Sequence, residues 1–166
     1  HQNLVCRTFW VSNSFSLQVK DRVIFKTNYT FDVSVIEWCW PLLSGARLNV
    51  FSKDKLDDIG FLSDYCMKND ISIIQMVPSL LLAILKSGQS EFLNKIKYCL
   101  VAGEELTKTL FEMYSNIVSK NNLWNLYGPT EATIYASMYH CDYKIELSVP
   151  IGKSILNNKL YILDDN

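Results

Sequence analysis

Near the end of the chain, an aromatic ring, a hydroxyl and a carboxylate are predicted to share one loop. Gly128 and Pro129 end a strand-like run and predict a turn. Tyr127 precedes this turn, and Thr130 and Glu131 follow it. An aromatic face can pack on a base, a hydroxyl can donate to a phosphate, and a carboxylate is a ligand that Mg²⁺ prefers. The spacing therefore favours a nucleotide-phosphate site at this loop.

A second candidate, Asp32, stands just before a run with helical apolar spacing at residues 34–44. In one interpretation Asp32 is the N-cap of this helix, since aspartate is a favoured cap. However, Ser34 and Glu37 form a Ser-x-x-Glu capping box of their own. That box would satisfy the helix end and leave Asp32 free to face a cavity. From the residues alone, both interpretations stay open.

The elements that must position these side chains alternate between strand and helix. Predicted strands cover residues 21–26, 47–51, 71–77, 96–102 and 122–127. Predicted helices cover residues 34–44, 56–68, 79–86 and 107–115, and the final third is strand-like over residues 132–139 and 159–163. Because such alternation is typical of parallel sheets, the sequence predicts an α/β fold with a largely parallel sheet and helices on both faces.

Polar features follow three of the predicted strands. Asp32 follows the first strand, Gly103 and Glu104 follow the fourth, and residues 127–131 follow the fifth. In a parallel α/β sheet, ligands bind beyond the carboxyl ends of the strands. We therefore expect these features to converge at one edge of the sheet.

Length and composition fit one ordinary globular domain. The chain has 166 residues, 49% of them hydrophobic, and a net charge of −1. The weak charge predicts no nucleic-acid partner and no attraction to an anionic membrane, and no apolar run reaches spanning length. Five widely spaced cysteines without a CxxC pair predict reduced thiols in a cytoplasm, most of them core residues.

Residues 125–131 resemble the N-x-Y-G-P-T-E signature of the adenylate-forming enzymes, in particular the adenylation domains of nonribosomal peptide synthetases. Residues 31–37 are similar to the family's F-D-x-S-x-x-E motif, and residues 100–105 to its L-x-x-G-G-E turn, with Ala102 replacing the first glycine. The H-x-N-L run at residues 1–4 and V-P-I-G at residues 149–152 extend the resemblance over nearly the whole chain. It implies part of the large N-terminal domain of such an enzyme.

The resemblance implies a role for each of these residues. Thr130 would donate to the α-phosphate of ATP and Glu131 would bind Mg²⁺, which makes this pair the catalytic candidates. Tyr127 would pack on adenine, and Asp32 would pair with the substrate's α-amino group. Further nucleotide-side positions are Asn125, Gly128, Gly103 and Glu104, although Glu104 and Glu105 can equally be first-turn acids of the next helix.

A substrate side-chain pocket is also implied by position. Beside Asp32 it would be lined by Val33, Ile36, Gln75, Leu100, Ala102, Leu126, Ile134 and Tyr135. Each of these taken singly is as readily an ordinary core residue. Together they form an apolar lining with one amide and one phenol, so a charged substrate side chain would lack a partner, at a cost of several kcal/mol. We expect a small-to-medium neutral side chain, aliphatic rather than aromatic, with a neutral polar tip still open through Gln75.

The implied function is ATP-dependent activation of an amino acid as its adenylate, followed by transfer to phosphopantetheine on a carrier domain. Partners would be peptidyl carrier and condensation domains of the same or a partner synthetase. One alternative is another adenylate-forming ligase, an acyl-CoA synthetase or an aminoacyl reductase. A more distant alternative is a non-enzymatic flavodoxin-like binding module. Residues 1–166 are expected to be a piece truncated at both ends and inactive alone, with a phosphate loop before His1 and a catalytic lysine after Asn166.

Overall fold

The computed structural model describes residues 1–142, 145 and 147–164. In this part of the chain, seven strands form one sheet in the order β2-β1-β3-β4-β5-β6-β7. The strands are β1 (Arg22–Phe25), β2 (Arg47–Val50), β3 (Ile73–Met76), β4 (Tyr98–Val101), β5 (Leu123–Tyr127), β6 (Ser137–His140) and β7 (Lys153–Ser154). Strands β1 to β5 pair in parallel, and β6 and β7 extend the sheet antiparallel.

Helices cover both faces of this sheet. They are α1 (Gln2–Ser14), α2 (Val33–Ser44), α3 (Ile59–Lys68), α4 (Pro78–Ser87) and α5 (Lys108–Ile117), with short 3-10 turns at Lys53–Lys55, Glu91–Asn94 and Thr130–Ala132. One buried apolar cluster joins α1 and α2 to the first face, and a second joins α3, α4 and α5 to the other. The predicted α/β fold, with a mostly parallel sheet and helices on both faces, is confirmed.

Alternation along each strand divides the side chains between the two clusters. In β3, Ile73 belongs to the α1–α2 cluster, whereas Ile74 and Met76 belong to the other. In β4, Leu100 faces α1 and α2, and Cys99 faces α3 to α5. Burial on both faces explains why the central strands are continuous apolar runs in the sequence.

Several elements differ from the sequence prediction. The helix expected over residues 56–68 begins at Ile59, because the Asp58 side chain accepts a hydrogen bond from the Phe61 amide (2.9 Å) and caps the helix there. Helix α1 was not predicted at all. The strand expected over residues 159–163 is also wrong: these residues form no ladder with any described strand, and Ile162 is fully exposed.

The strand expected over residues 132–139 begins only at Ser137. Thr133 and Ile134 have φ angles of +60° and +74°, in the left-handed region. This conformation cannot continue an extended strand, although both residues are β-branched and favour one by propensity. The chain therefore turns between the 3-10 turn at Thr130–Ala132 and β6.

The cysteines are free thiols, and Cys66, Cys99 and Cys141 are buried as expected. Burial raises the pKa of each of these three thiols to about 12. They are therefore protonated core side chains at neutral pH rather than nucleophiles or metal ligands. Among the described helices, none combines the length and apolar character that crossing a membrane requires.

Candidate functional site

The carboxyl ends of β4 and β5 form the walls of an open cleft of about 390 Å³. It is lined by Gly103, Glu104, Glu105, Leu106, Asn125, Leu126, Tyr127, Gly128, Pro129, Val149 and Ile151. Five positions assigned to nucleotide contacts from the sequence are therefore brought together: Gly103, Glu104, Asn125, Tyr127 and Gly128. The volume suits part of a nucleotide, and binding at this edge follows the rule for parallel sheets.

Tyr127 ends β5 with 45% of its side chain exposed. The ring contributes to the lining of the cleft and is large and rigid enough to pack on a planar base. Its backbone oxygen accepts a hydrogen bond from the Ala136 amide (2.7 Å), which fixes the end of the strand. An exposed ring on a fixed backbone is an arrangement suited to stacking.

Thr130 and Glu131 directly follow Pro129, at the rim of the same cleft, in a 3-10 turn. Both residues are exposed, and within the described residues neither side chain is engaged by a hydrogen bond or an ion pair. A single exposed carboxylate fits Mg²⁺, which commonly takes one or two protein carboxylates and completes its shell with phosphate oxygens and water. In the described part of the chain, no group of three or more His, Cys, Asp or Glu residues is arranged to hold a metal by itself.

The loop that carries these residues folds back tightly on itself at Gly128. A Cβ atom placed there would lie 2.5 Å from the Ile134 carbonyl oxygen, 2.6 Å from Tyr135 Cα and 2.7 Å from the Ala136 amide nitrogen. These neighbours are backbone atoms and cannot rotate away. Glycine is therefore required for the loop to pass beside the segment that leads into the predicted substrate pocket.

Replacing Gly128 by alanine is expected to destabilise the chain by about 1–3 kcal/mol, the usual cost of overpacking. That corresponds to a fall of several degrees, roughly 2–12 °C, in the unfolding temperature. Thermal unfolding by circular dichroism measures the change. Gly60→Ala is the matched control, because Gly60, like Gly128, has no positive φ, and the atom nearest its virtual Cβ belongs to the flexible Gln89 side chain (3.2 Å). A smaller loss in Gly128→Ala than in the control would show that the loop has room to move.

Two of the nucleotide-side candidates are already engaged in protein hydrogen bonds. The Asn125 amide donates to the Pro150 carbonyl (2.9 Å), which holds residues 149–151 against the cleft. The Glu104 carboxylate accepts from the Ser79 amide and hydroxyl, both at 2.9 Å. Glu104 thus provides the acceptor for a free backbone amide at the start of α4. The alternative that it belongs to the first turn of the next helix is wrong, since Thr107 caps α5.

Asp32 stands at the N-cap position of α2, but its side chain makes no capping hydrogen bond. The predicted Ser34–Glu37 capping box is wrong as well. Ser34 donates to the Tyr29 carbonyl (3.5 Å), and Glu37 turns away toward the end of β1. The half-buried Asp32 carboxylate therefore accepts no hydrogen bond from the start of the helix.

Glu37 anchors the first turn of α2 to the carboxyl end of β1. Its carboxylate accepts from the amides of Lys26 (3.2 Å) and Thr27 (2.9 Å) and from the Thr27 hydroxyl (2.6 Å). Burial raises the pKa of Glu37, and the nearby Lys26 charge and these hydrogen bonds oppose the rise. Burial lowers the pKa of Lys26, and the nearby Glu37 charge opposes this fall. This network holds α2, the helix that begins directly after Asp32, against the end of β1.

The predicted substrate-pocket residues meet on the α1–α2 face of the sheet. Five of them are buried in the apolar cluster on this face: Ile36, Leu100, Leu126, Ile134 and Tyr135. Val33 and Ala102 are half-buried and pack against this cluster. Gln75 joins them from β3, where it is the register partner of Leu100. The sequence therefore identified a real juxtaposition, although cluster membership alone is equally a core arrangement.

A buried hydrogen bond crosses this group. The Tyr135 hydroxyl donates to Gln75 Oε1 at 2.6 Å, and the two residues are 1% and 6% exposed. Burial and the charges of Glu37 and Asp32 raise the pKa of Tyr135, so its hydroxyl stays protonated.

Sequence reasoning missed Arg7, which lies in α1 and is only 5% exposed. Its guanidinium donates to the carbonyls of Ala132 (3.3 Å) and Thr133 (3.0 Å), just beyond Glu131. No motif marks this arginine, because its partners are backbone oxygens more than a hundred residues away along the chain. Only the recognition of α1 as a helix facing this loop could have found it.

The model of the family described as AMP-binding enzyme matches residues 1–166. Among curated relatives, zwittermicin A synthase ZmaJ of Bacillus cereus is 34% identical over 99% of this chain. The chain spans 33% of that protein's length.

Solved structures give the same relationship. The adenylation domain AlmE of Vibrio cholerae, in complex with glycyl-adenosine-5'-phosphate, matches 92% of this chain and 29% of its own, with a TM-score of 0.79 and 27% identity. Holo-AB3403, a four domain nonribosomal peptide synthetase bound to AMP and glycine, matches 98% of this chain and 12% of its own, with a TM-score of 0.88 and 27% identity.

Proposed function

The chain belongs to the AMP-binding enzyme family, and we propose that it is part of an adenylation domain that activates a small amino acid with ATP. The observation that carries this proposal is the placement of Asp32, the cleft beside Tyr127 and the Thr130–Glu131 turn at one edge of the sheet. A non-enzymatic binding module would explain the fold but not these side chains at that edge.

In the proposed reaction, the amino-acid carboxylate attacks the α-phosphorus of ATP. The new bond joins the carboxylate oxygen to phosphorus, the bond from phosphorus to the bridging oxygen breaks, and pyrophosphate leaves. No protein nucleophile is needed, so catalysis consists of orientation and charge stabilisation. Thr130 donates a hydrogen bond where negative charge develops on the α-phosphate. Glu131 would hold Mg²⁺, which would supply positive charge to the triphosphate.

Asp32 is proposed to bind the α-ammonium group of the substrate. Its carboxylate is half-buried and free of the helix cap, so an ammonium partner stabilises it more than water alone does. This contact separates an amino-acid ligase from a ligase for fatty or aryl acids. Asp32 stands at the start of α2, and Ile36 of the same helix lies in one buried cluster with Tyr135, which supports an amine bound beside the pocket.

We propose glycine as the preferred substrate, with alanine next. The pocket candidates Leu100, Leu126 and Tyr135 are at most 2% exposed, and Tyr135 spans the group to reach Gln75. A larger side chain would have to displace packed atoms, at a cost of about 1–3 kcal/mol. The similarity to structures bound to glycine and to a glycyl adenylate supports the same choice. This narrows the small-to-medium range expected from the sequence.

The second half-reaction is proposed to follow that of nonribosomal peptide synthesis. A phosphopantetheine thiol attacks the acyl carbon of the adenylate, and AMP leaves as the thioester forms. The partners would be a peptidyl carrier domain, which supplies this thiol, and a condensation domain that uses the product. Five free thiols fit a reducing compartment, and we propose the cytoplasm.

The proposal is tested by amino-acid-dependent ATP–pyrophosphate exchange with the full-length gene product across the standard amino acids and a set of short fatty acids. We expect exchange with glycine, weaker exchange with alanine, and rates near background for Asp, Glu, Lys and Arg. Exchange driven by fatty acids instead would identify another adenylate-forming ligase. A clear preference for a charged amino acid would overturn the pocket assignment while leaving adenylation itself intact.

A further inference from the structure

We propose that Arg7 is a positioning residue for this site: from α1 it fixes the backbone that joins the Thr130–Glu131 turn to the Tyr135 pocket floor. The inference rests on the proposed function for its catalytic consequence. The structural part of it, a loop conformation imposed by one guanidinium, is independent of which reaction the loop serves.

The Arg7 guanidinium is surrounded by oxygen acceptors from two segments of the chain. Nε donates to the Thr133 carbonyl at 3.0 Å, and Nη2 donates to the Ala132 carbonyl at 3.3 Å. Nη1 donates to the Leu156 carbonyl at 3.3 Å, and Nη2 also donates to Asn158 Oδ1. One buried side chain therefore holds two otherwise separate loops against α1.

The segment that Arg7 holds is strained. Thr133 and Ile134 both have positive φ angles, +60° and +74°. For β-branched residues this conformation is a genuine outlier, and it persists only where the surroundings over-determine it. Arg7 binds the carbonyls directly before and within this pair, which is where such a constraint must act.

The strained pair lies between two parts of the proposed site. The Thr130–Ala132 turn precedes it, and Tyr135 follows it, with the Tyr135 amide donating to the Thr133 carbonyl (3.0 Å). If the pair relaxed toward extended backbone, the Thr130 hydroxyl and the Tyr135 ring would shift relative to each other. A misplacement of about 1 Å costs on the order of a hundredfold in rate.

The planar guanidinium is essential to this role. Its fork of five N–H donors matches several fixed acceptors at once, whereas a lysine ammonium is a point charge on a flexible stem. Arg7→Lys preserves the charge and loses the fork. Arg7→Ala removes both and leaves a hollow that a free guanidinium ion can enter.

The experiment compares Arg7→Ala and Arg7→Lys with Arg22→Ala in the full-length gene product. Arg22 is the matched control, because it also holds a loop but lies at the amino end of β1, away from the site. Its guanidinium contacts the Asn69 carbonyl (2.7 Å) and the Asp70 carboxylate (3.3 Å). We expect exchange kcat/KM to fall about a hundredfold in Arg7→Ala and about tenfold in Arg7→Lys. Millimolar guanidinium is expected to restore part of the Arg7→Ala rate only. Arg22→Ala is expected to stay within about twofold of wild type.

Hydrogen exchange of residues 130–136 supplies a readout that needs no activity. We expect these amides to exchange faster in both Arg7 variants, and we expect their exchange rates in Arg22→Ala to equal those of wild type. If wild type shows no pyrophosphate exchange, the proposed function fails, and this measurement still decides the role of Arg7. Should Arg7→Ala not fold, Arg7→Lys carries the test. The inference would be overturned if Arg7→Lys kept both the wild-type rate and the wild-type protection of residues 130–136. It would also be overturned if guanidinium did not raise the rate of Arg7→Ala.

Discussion

Asp32→Asn is expected to raise the KM for the amino acid and lower kcat/KM by a hundredfold or more in pyrophosphate exchange. The substitution keeps the size of the side chain and removes the charge that is proposed to pair with the substrate ammonium. Leaving one member of a buried ion pair unpaired costs about 3–5 kcal/mol, which is roughly 150-fold to 5,000-fold. Because Asp32 is only half-buried, we expect the lower part of that range. The KM for ATP is expected to change little.

Two comparisons make this result specific to the amine contact. Asp64→Asn removes an exposed carboxylate from α3, remote from the cleft, and is expected to leave exchange unchanged. The second comparison uses acetate and propionate, which lack the amino group of glycine and alanine. Asp32→Asn should reduce the preference for the amino acids over these acids. A variant that keeps both its KM for glycine and that preference would remove Asp32 from the amine site.

The fold and the outline of the site could be predicted because local sequence and global structure agree there. The apolar run around Ile73–Met76 is buried on both faces, and this produces the continuous pattern of a parallel strand. The end of β5 is set by Gly128 and Pro129, residues whose backbone preferences are strong. Placing Asp32 and the loop after β5 at the same edge then follows from parallel strand topology alone.

Contacts distant in sequence determine the features that could not be predicted. Thr133 and Ile134 favour extended backbone by propensity, yet they leave it where the distant Arg7 guanidinium binds the Thr133 carbonyl. Glu37 matched a capping box, yet two backbone amides and a hydroxyl at the end of β1 compete for its carboxylate. In both cases, a tertiary hydrogen-bond network overrides a local pattern.

Glu104 shows that a motif can place a residue correctly and still leave its task open. It lies on the cleft as expected, but its two oxygens are bonded to Ser79 at the start of α4. Thr130 and Glu131, by contrast, make no such bond within the described residues and face solvent at the rim. Among the polar side chains at this edge, these two are therefore the ones whose substitution is expected to affect the chemical step most directly.

Thr130→Ala is expected to lower kcat for adenylate formation about a hundredfold, with little change in the KM for ATP. Within the described residues the hydroxyl has no hydrogen-bond partner to lose, so the substitution removes only a donor that is proposed to act on the charge developing at the α-phosphate. Removing one such donor costs about 2.7–4 kcal/mol, roughly a hundredfold to a thousandfold in kcat. Glu131→Gln is expected to lower kcat similarly and to raise the Mg²⁺ concentration needed for half-maximal exchange, because an amide is a weaker ligand than a carboxylate.

Single-turnover adenylate formation measured across a Mg²⁺ titration separates these two effects. Thr130→Ala should leave the Mg²⁺ midpoint at its wild-type value, and only Glu131→Gln should shift it. Thr130→Ser keeps the hydroxyl and is expected to retain most of the activity, while Glu91→Gln changes an exposed glutamate outside the cleft and is expected to have no effect. Unfolding temperatures should stay close to wild type, since both side chains are exposed and unbonded within the described structure. Rates within twofold of wild type for Thr130→Ala and Glu131→Gln would mean that the loop is structural, and that the charge of the reacting triphosphate is stabilised by other residues.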